Sequence, residues 1–204
     1  MTPSGTASFY IEDVRALRAI ASPVRAAVID ALEVLGPATV AQLAATLGYP
    51  PDGLYYHFTV LERHRLVVRV EPERDTGAAR FDLPGRPATL RYRLHDRQQR
   101  AATAKVVATM LRSAERSFGR AFAPGAATTD GPHRNLRAGR RTAWLTAGEL
   151  LKLNGYIERI HALLARGRPG RKGARLHEFT YVLAPIVESG PRARAISARK
   201  GARA

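Results

Sequence analysis

Glycine and proline breaks divide residues 22–67 into three short apolar-patterned segments, and this division constrains the fold more than any other feature. The first break is the pair at 36–37, and the second runs from Gly48 to Pro51. Glycine suits the left-handed residue that follows a helix end, whereas proline suits the first helical position and is excluded from helix interiors. Each segment carries apolar residues at helical spacing. The sequence therefore predicts three short helices that share one core, preceded by another helical segment around residues 14–20.

The third segment, which opens with "PPDGLYYHF", has two chemically different faces. Leu54, Phe58 and Leu61 recur at spacings of four and three, so we expect them to face the core. His57 lies beside that face, where a hydrogen-bonded structural histidine is the expectation. The opposite face is polar, and its residues are Asp52, Tyr56, Thr59 and Arg63, with Tyr55 at its edge.

Two strands are predicted after these helices. "LVVRVEPERD" has strand character, a loop rich in glycine, proline and arginine follows, and "ATLRYRLH" is the predicted second strand. Three helices closed by a basic hairpin form the plan of a winged helix, which we place at residues 11–95 after a flexible N-terminus of residues 1–10. The arginines in or between the two predicted strands are Arg69, Arg74, Arg80, Arg86, Arg91 and Arg93.

A long helix is predicted over residues 96–122. Its residues Val107, Leu111, Ala114 and Phe118 step by four, three and four, which is the spacing of a heptad seam. A seam of this kind lets two helices pair, although this one is short and contains an alanine. We therefore predict that this helix pairs two subunits.

The remaining residues are predicted to form a linker, a small unit and a tail. Residues 123–138 have the composition of a flexible linker. Residues 139–187 combine the strand "RRTAWLT", a helix with a capping-box spacing at Thr146 and Glu149, and the strand "LHEFTYVLAPI". This strand–helix–strand unit is too small to fold alone, and two roles are open to it: holding a small-molecule effector or completing a dimer. Residues 188–204 form a basic disordered tail.

Composition limits the classes of function and partner. The net charge is +16, which favours a polyanionic partner. The charge is uneven: residues 12–66 carry six acids and five bases, whereas residues 166–204 carry ten bases and two acids. There is no cysteine, so disulfides and thiolate metal sites are excluded. We find neither a secretory-signal pattern nor an apolar run long enough to span a bilayer, and we expect a cytoplasmic protein without a membrane partner.

The stretch "ASPVRAAVIDALEVLGPATVAQLAATLGYPPDGLYYHFTVLERHRLVV" resembles the arsenic-repressor type (ArsR-like) winged-helix transcription regulators. The resemblance rests on a Pro-Arg opening, a "T-V-x-x-L-A-x-x-L-G" helix, and a recognition helix with a central histidine before "L-x-x-L". It covers residues 11–94, under half of the chain. The residues after 138 resemble, more weakly, subgroups with a "YYH" recognition helix and an extra C-terminal domain. Two positions depart from the pattern: Arg65 replaces a glycine, and Asp52 replaces a hydroxyl residue.

This resemblance implies a homodimeric regulator that binds double-stranded DNA. Recognition helices enter the major groove, so Asp52, Tyr55, Tyr56, Thr59 and Arg63 are the implied base-facing residues. A wing contacts phosphates and the minor groove, which assigns such contacts to the hairpin arginines. "RGRP", with Arg166 and Arg168, matches the core of a minor-groove hook, but four residues can match by chance in such a chain and a plain loop between helix and strand is the favoured interpretation. For each of these groups the simpler interpretation is a solvated surface.

Other functions have less support in the sequence. The near-neutral recognition helix leaves open a winged-helix module that binds protein or RNA, with the basic tail contacting the nucleic acid. The metal sensors of the family use paired cysteines or Asp/His pairs, and the long helix has no histidine, so we expect no metal and no cofactor. Nucleophile elbows, phosphate loops and metalloprotease spacings are missing from the sequence, so we expect no enzymatic activity.

Overall fold

The computed structural model describes residues 8–71, 77–93, 95–167 and 169–187. Within them the chain is mainly helical, with six helices and two small sheets. In chain order the elements are β1 (Phe9–Ile11), α1 (Val14–Ile20), α2 (Pro23–Leu35), β2 (Ala38–Thr39), α3 (Val40–Leu47), α4 (Pro51–Arg63), β3 (Val68–Val70), β4 (Arg80–Asp82), β5 (Ala88–Leu90), α5 (Arg97–Arg120) and α6 (Ala147–Leu164). No helix in these ranges is both long enough and apolar enough to cross a bilayer.

The predicted helix boundaries are confirmed where glycine and proline set them. Helices α2 and α4 begin at prolines, and α3 ends before Gly48, whose φ of 70° is left-handed. Helix α3 also has a full capping box, in which Thr39 Oγ1 accepts from the Gln42 amide and the Gln42 side chain accepts from the Thr39 amide. This reciprocal pair satisfies two of the amides that a helix start leaves unpaired. The chain therefore turns tightly between α2, α3 and α4.

One hydrophobic core lies beneath α1 to α4 and the first half of α5. Leu54, Phe58 and Leu61 of α4 are buried, as predicted. The ring of Phe58 packs on the ring of Phe81, with centroids 4.4 Å apart. Helix α4 is thereby held between the other helices on one side and the sheet on the other, and its polar face points to solvent.

The three-stranded antiparallel sheet has the order β2–β4–β3. The predicted hairpin is therefore wrong in its second strand, because β3 pairs with residues 80–82 and not with "ATLRYRLH". The alternation of Phe81 and Leu83, both buried, explains the pairing. Burying these two side chains places the strand at the core, and the residues beyond 84 turn away from the hairpin.

Residues 88–90, predicted as the outer hairpin strand, pair instead with the N-terminus. Strands β5 and β1 form a parallel pair, with Phe9 opposite Ala88 and Ile11 opposite Leu90. Ile11 is buried in the core. The predicted flexible N-terminus over residues 1–10 is therefore wrong at residues 9 and 10, and residues 1–7 lie outside the described residues.

Helix α5 is fastened to both ends of α1 by buried polar side chains. Gln99 Nε2 donates to the carbonyl of Glu12, 2.8 Å away, just before α1 begins. The Thr109 hydroxyl donates to the carbonyl of Ala21, 2.9 Å away, just after α1 ends. The first half of α5 therefore runs parallel to α1. Its buried residues are Gln99, Ala102, Thr103, Val106 and Thr109.

The predicted C-terminal unit differs from the structure in its strands. Helix α6 is present, with the capping box between Thr146 and Glu149. The structure describes the segments 140–146 and 174–187 in full, and neither contains a strand. Helix α6 is also fully described, and none of its residues is buried. A strand needs a neighbouring backbone to take its hydrogen bonds, and these segments have no ladder partner within the described chain. The predicted tail over residues 188–204 lies outside the described residues.

Candidate nucleic-acid interface

The five residues predicted on the polar face of α4 are all exposed. Tyr55 and Tyr56 keep 57% and 67% of their surface accessible, and Asp52, Thr59 and Arg63 are also exposed. Large aromatic side chains at this exposure are not part of the core. The face thus presents aromatic, hydroxyl, acidic and guanidinium groups side by side on one helix. These groups include hydrogen-bond donors and acceptors as well as charges of both signs.

Contacts within the helix restrict some of these side chains. The Thr59 hydroxyl donates to the carbonyl of Tyr55, 3.1 Å away, which restricts the orientation of this side chain. The ring of Tyr56 makes an edge-on contact with His57, with centroids 5.5 Å apart. Asp52 lies in the first turn, where a carboxylate favours the helix dipole.

A left-handed arginine, Arg65, follows the end of helix α4. Arg65 has a φ of 54°, and it is the described non-glycine residue at which φ is positive. The Leu66 amide donates to the carbonyl of Leu61 at 2.9 Å, the long bond of a Schellman motif. Arg65 therefore has a backbone conformation that favours glycine. It turns the chain sharply so that the buried pair Leu66 and Val67 can lead into β3.

The β3–β4 hairpin faces α4 across a shared concavity. Arg69 Nε donates to Glu62 Oε1 at 2.7 Å, and the Glu62 carboxylate raises the pKa of the Arg69 guanidinium. Beside this pair is a cleft of about 330 Å³. One wall of the cleft is Tyr55 and Thr59 of α4, and the opposite wall is the hairpin residues 78–79 with Phe81. The polar face of α4 and the hairpin therefore border one continuous surface.

Two of the predicted wing arginines are held inside the fold. Arg80 donates to the carbonyl of Pro37 at 2.8 Å. Arg86 donates to the carbonyl of Leu32 at 2.8 Å and forms an ion pair with Asp82. Both guanidinium groups serve to connect β4 and the following turn to the end of α2. The predicted phosphate contacts of Arg80 and Arg86 stay predictions, and they would compete with these internal hydrogen bonds.

Arg91 and Arg93 lie away from the hairpin, on the side of the β1–β5 pair. The guanidinium of Arg91 stacks on the ring of Tyr10 at 4.0 Å, and Arg93 contacts Glu12 Oε1 at 3.2 Å. The structure thus separates these arginines from α4, which the sequence could not show. Of the remaining predicted contacts, Arg166 is exposed just after α6, whereas Arg74 and Arg168 lie outside the described residues.

One ring nitrogen of His57 lacks the hydrogen bond that the sequence suggested. Its Nδ1 atom is buried and finds no hydrogen-bond partner in the described part of the chain. Burial, together with the positive charge of Arg25, lowers the pKa of His57, so its neutral form is favoured. Clusters of three or more His, Asp or Glu that could hold a metal are not found among the residues in the described ranges.

Sequence reasoning missed two residues that shape this surface. Phe81 orients the hairpin against α4, and its signal was the alternation of Phe81 and Leu83 in "RFDLPG". Glu62 neutralises part of the charge of Arg69, and no sequence pattern marks a pair seven residues apart across a helix end. Both residues affect how much positive charge the hairpin presents beside α4.

Comparison with known families supports a DNA-binding module in this region. A family model described as a helix-turn-helix domain matches residues 20–70, a quarter of the chain. The match begins at the end of α1 and includes α2, α3, α4 and β3. No curated protein matches the chain. Residues 20–70 are therefore similar to a helix-turn-helix domain, in which the second helix of the motif enters the major groove of DNA.

Proposed function

We propose that the protein is a homodimeric, sequence-specific DNA-binding transcription regulator of ArsR-like type, in which α4 is the recognition helix. The observation that carries this proposal is the position of the exposed face of Asp52, Tyr55, Tyr56, Thr59 and Arg63 within the matched helix-turn-helix region. Recognition requires donors and acceptors on a helix that is itself held rigidly. Helix α4 meets this condition because its opposite face is fully buried.

Each residue on this face has a definite chemistry toward base edges. A guanidinium such as that of Arg63 pairs with the acceptors of guanine, and a carboxylate such as that of Asp52 accepts from the amino group of cytosine. Thr59 is exposed, and its methyl group suits the methyl group of thymine. Tyr55 and Tyr56 offer rings for methyl contacts and hydroxyls for phosphates.

The hairpin supplies a second, weaker contact region. Its positive charge beside α4 is reduced by the Arg69–Glu62 pair, so in this proposal α4 specifies sequence and the hairpin mainly positions the backbone. Arg166 and the other bases after α6 add charge that does not depend on sequence. Binding without sequence preference follows from such phosphate contacts.

The dimer is proposed to form along α5. Val107, Ala114 and Phe118 are half-buried and Leu111 is exposed, on a face adjacent to the one that packs on α1. This seam therefore remains open after the core has formed. Pairing two chains there would place two recognition helices at a fixed separation, which is how dimeric regulators match the spacing of half-sites.

A second candidate is a protein- or RNA-binding module on the same scaffold. It is favoured by the low charge of residues 12–66, which carry six acids against five bases. In that case the α4 face would contact protein or RNA. The two candidates differ in whether the α4 face discriminates between duplex sequences.

The test compares affinity for a selected duplex with affinity for a random one. Genomic fragments retained by the purified full-length protein define the specific site. Tyr56→Ala and Arg63→Ala should each weaken binding to that site by about 1–3 kcal/mol, with a smaller effect on random duplex.

Matched controls remove the same side chains elsewhere. Arg116→Ala deletes an exposed guanidinium on α5, and Tyr92→Ala deletes an exposed tyrosine outside α4. Both controls should leave the ratio of specific to random affinity unchanged. If Tyr56→Ala and Arg63→Ala also leave that ratio unchanged, α4 does not specify DNA sequence and the protein- or RNA-binding candidate is favoured.

A further inference from the structure

The charge of Arg69, on strand β3, is balanced by a carboxylate that belongs to α4. Arg69 Nε donates to Glu62 Oε1 at 2.7 Å, and Arg69 Nη2 donates to Glu62 Oε2 at 3.3 Å. The pair is therefore bidentate, a geometry that fixes the orientation of both groups. The guanidinium also lies over the ring of Phe81, 5.5 Å from its centroid, and that ring packs on Phe58 in the core. Arg69 is thus held in place from two sides.

This ion pair lies at the border of the exposed face of α4. Glu62 follows Thr59 by three residues and Tyr55 by seven, which places the three side chains on one side of the helix. All three line the cleft of about 330 Å³ between α4 and the hairpin, and so does Arg69. The side chain of Arg69 is 67% exposed, against 27% for that of Glu62. A polyanion that contacts Tyr55 and Thr59 therefore meets Arg69 as well, with Glu62 directly beside it.

Glu62 and a phosphate would make the same kind of contact with Arg69. A guanidinium binds a carboxylate or a phosphate through two parallel N–H groups on one planar edge. Glu62 occupies the edge formed by Nε and Nη2. A phosphate that takes this edge has to displace the carboxylate, and a phosphate on another edge lies close to its negative charge. In either position, Glu62 opposes the binding of a phosphate to Arg69.

A purely structural role is the simpler interpretation of the Arg69–Glu62 pair. Exposed ion pairs of this kind contribute little to stability, because water screens them and both side chains lose freedom. The hairpin is also joined to α4 in another way, since the rings of Phe58 and Phe81 are in contact within the core. The pair is therefore not required to hold the hairpin against α4, and its place in the cleft favours a role in binding.

We propose that Glu62 limits the affinity of the protein for DNA by competing with a backbone phosphate for Arg69. In the free protein the pair is neutral. When Arg69 binds a phosphate, a cation leaves the DNA, and the released Glu62 carboxylate attracts a cation from solution. These two changes offset each other, so Arg69 adds little to the affinity or to its salt dependence while Glu62 is present. The inference rests on the DNA binding of the proposed function and adds a residue of α4 that sets binding strength without contacting a base.

The first test is Glu62→Gln in the full-length protein. Glutamine keeps the shape of the side chain and an oxygen that can accept from Arg69, but it removes the negative charge. The variant should bind the selected and the random duplex more tightly than the wild type, and by the same factor. Lowering the salt from about 200 mM to about 50 mM should strengthen the variant by roughly three-fold more for each subunit than the wild type, which is an extra slope of about −0.9.

Three further variants separate the effect of Glu62 on Arg69 from a general effect of charge. Glu115→Gln removes an exposed acid from α5 and changes the net charge by the same amount, so it should keep the salt slope of the wild type. Adding Glu62→Gln to Arg69→Gln should not steepen the slope, because no guanidinium is then freed. Glu62→Ala should steepen it as Glu62→Gln does, so the test does not depend on a single substitution.

Several results would overturn the proposal. These are an unchanged affinity or salt slope in Glu62→Gln, or the same steepening when Arg69 is absent. Weaker binding of Glu62→Gln and Glu62→Ala would show instead that Glu62 orients Arg69 toward the phosphate. The proposed function can fail separately. If Tyr56→Ala leaves the ratio of specific to random affinity unchanged, a steeper slope in Glu62→Gln would still locate a phosphate contact at Arg69.

Discussion

Arg65 is the non-glycine residue with a positive φ among the residues that the structure describes. Its φ of 54° places a β-carbon in the left-handed region, which costs roughly 1 kcal/mol relative to glycine. The turn is nevertheless required, because Leu66 and Val67 must enter the core directly after α4. Arg65→Gly should therefore raise the free energy of unfolding by about 0.5–1 kcal/mol, measured by urea denaturation.

The control for this change is Arg63→Gly. Arg63 is the last residue of α4 and has helical geometry, so glycine there should destabilise the protein by about 0.5–1 kcal/mol. Opposite signs at two arginines two positions apart would establish that conformation, and not charge, determines the effect. Equal effects of the two substitutions would contradict the assignment of strain to Arg65.

His57 should make stability depend on pH. Its pKa is lowered in the folded protein by burial and by Arg25, so folding favours the neutral ring. The associated stability is fully present above the unfolded pKa of about 6.5 and is lost as pH falls toward the lower folded pKa. His57→Gln should therefore reduce the loss of stability between pH 7.5 and 5.5, measured as the shift of the urea midpoint. His133→Gln, at an exposed position, should keep the wild-type pH dependence.

At the residue scale, helical periodicity predicts which side chains are exposed but not which partners long side chains find. The buried set Leu54, Phe58 and Leu61 and the opposite polar face of α4 follow from spacing alone. Arg86 reaches a carbonyl 54 residues earlier in the chain. Such a contact depends on how α2 and β4 are brought together, and a single sequence does not contain that distance.

At the scale of elements, helices were predicted better than strands. Capping residues and prolines mark helix ends locally, and these boundaries are confirmed for α2, α3, α4 and α6. The strands are two or three residues long, too short for a clear alternation. Strand β1 in particular exists because β5 lies beside it, and this pairing joins residues that are about 80 positions apart.

Among the side chains that connect different elements, we expect Gln99 to contribute most to the free energy of unfolding. It is 1% exposed, and its side chain bonds the carbonyls of Glu12 and Arg91 and the amide of Arg93. It therefore ties together the start of α1, the strand after the hairpin and the start of α5. Gln99→Ala leaves buried backbone groups without partners, which costs about 1–3 kcal/mol for each group. We expect a loss on the order of 3 kcal/mol in the free energy of unfolding.

Gln98→Ala is the matched control for this prediction. Gln98 is the neighbouring residue and is exposed, and its side chain makes one long contact of 3.5 Å with Arg18. Its replacement should change stability by less than about 0.5 kcal/mol, as is usual for surface positions. If Gln98→Ala and Gln99→Ala lower the free energy of unfolding equally in urea denaturation, the buried contacts of Gln99 do not hold α5 in place.

At the scale of the whole molecule, sequence reasoning located a C-terminal unit but not its structure. Trp144 and Phe179 stand in segments whose composition favours strands, yet neither segment forms a strand in the described chain. Composition predicts what a segment can form, whereas a strand also requires an available edge. Neither segment finds such an edge among the described residues, which is why the predicted strands do not form.

The basic residues of 188–204 are expected to strengthen binding to DNA without regard to its sequence. Residues 188–204 carry five bases and one acid, in contrast to the near-neutral residues 12–66. Each phosphate contact contributes about −0.9 to the slope of log affinity against log salt. Deleting residues 188–204 should therefore weaken binding to the selected and random duplexes alike and flatten the slope by a few units, up to about 4. A full-length variant with glutamine at the five basic positions should behave like the deletion, which separates charge from length. Selective loss of the specific site in either variant would instead assign sequence recognition to the tail.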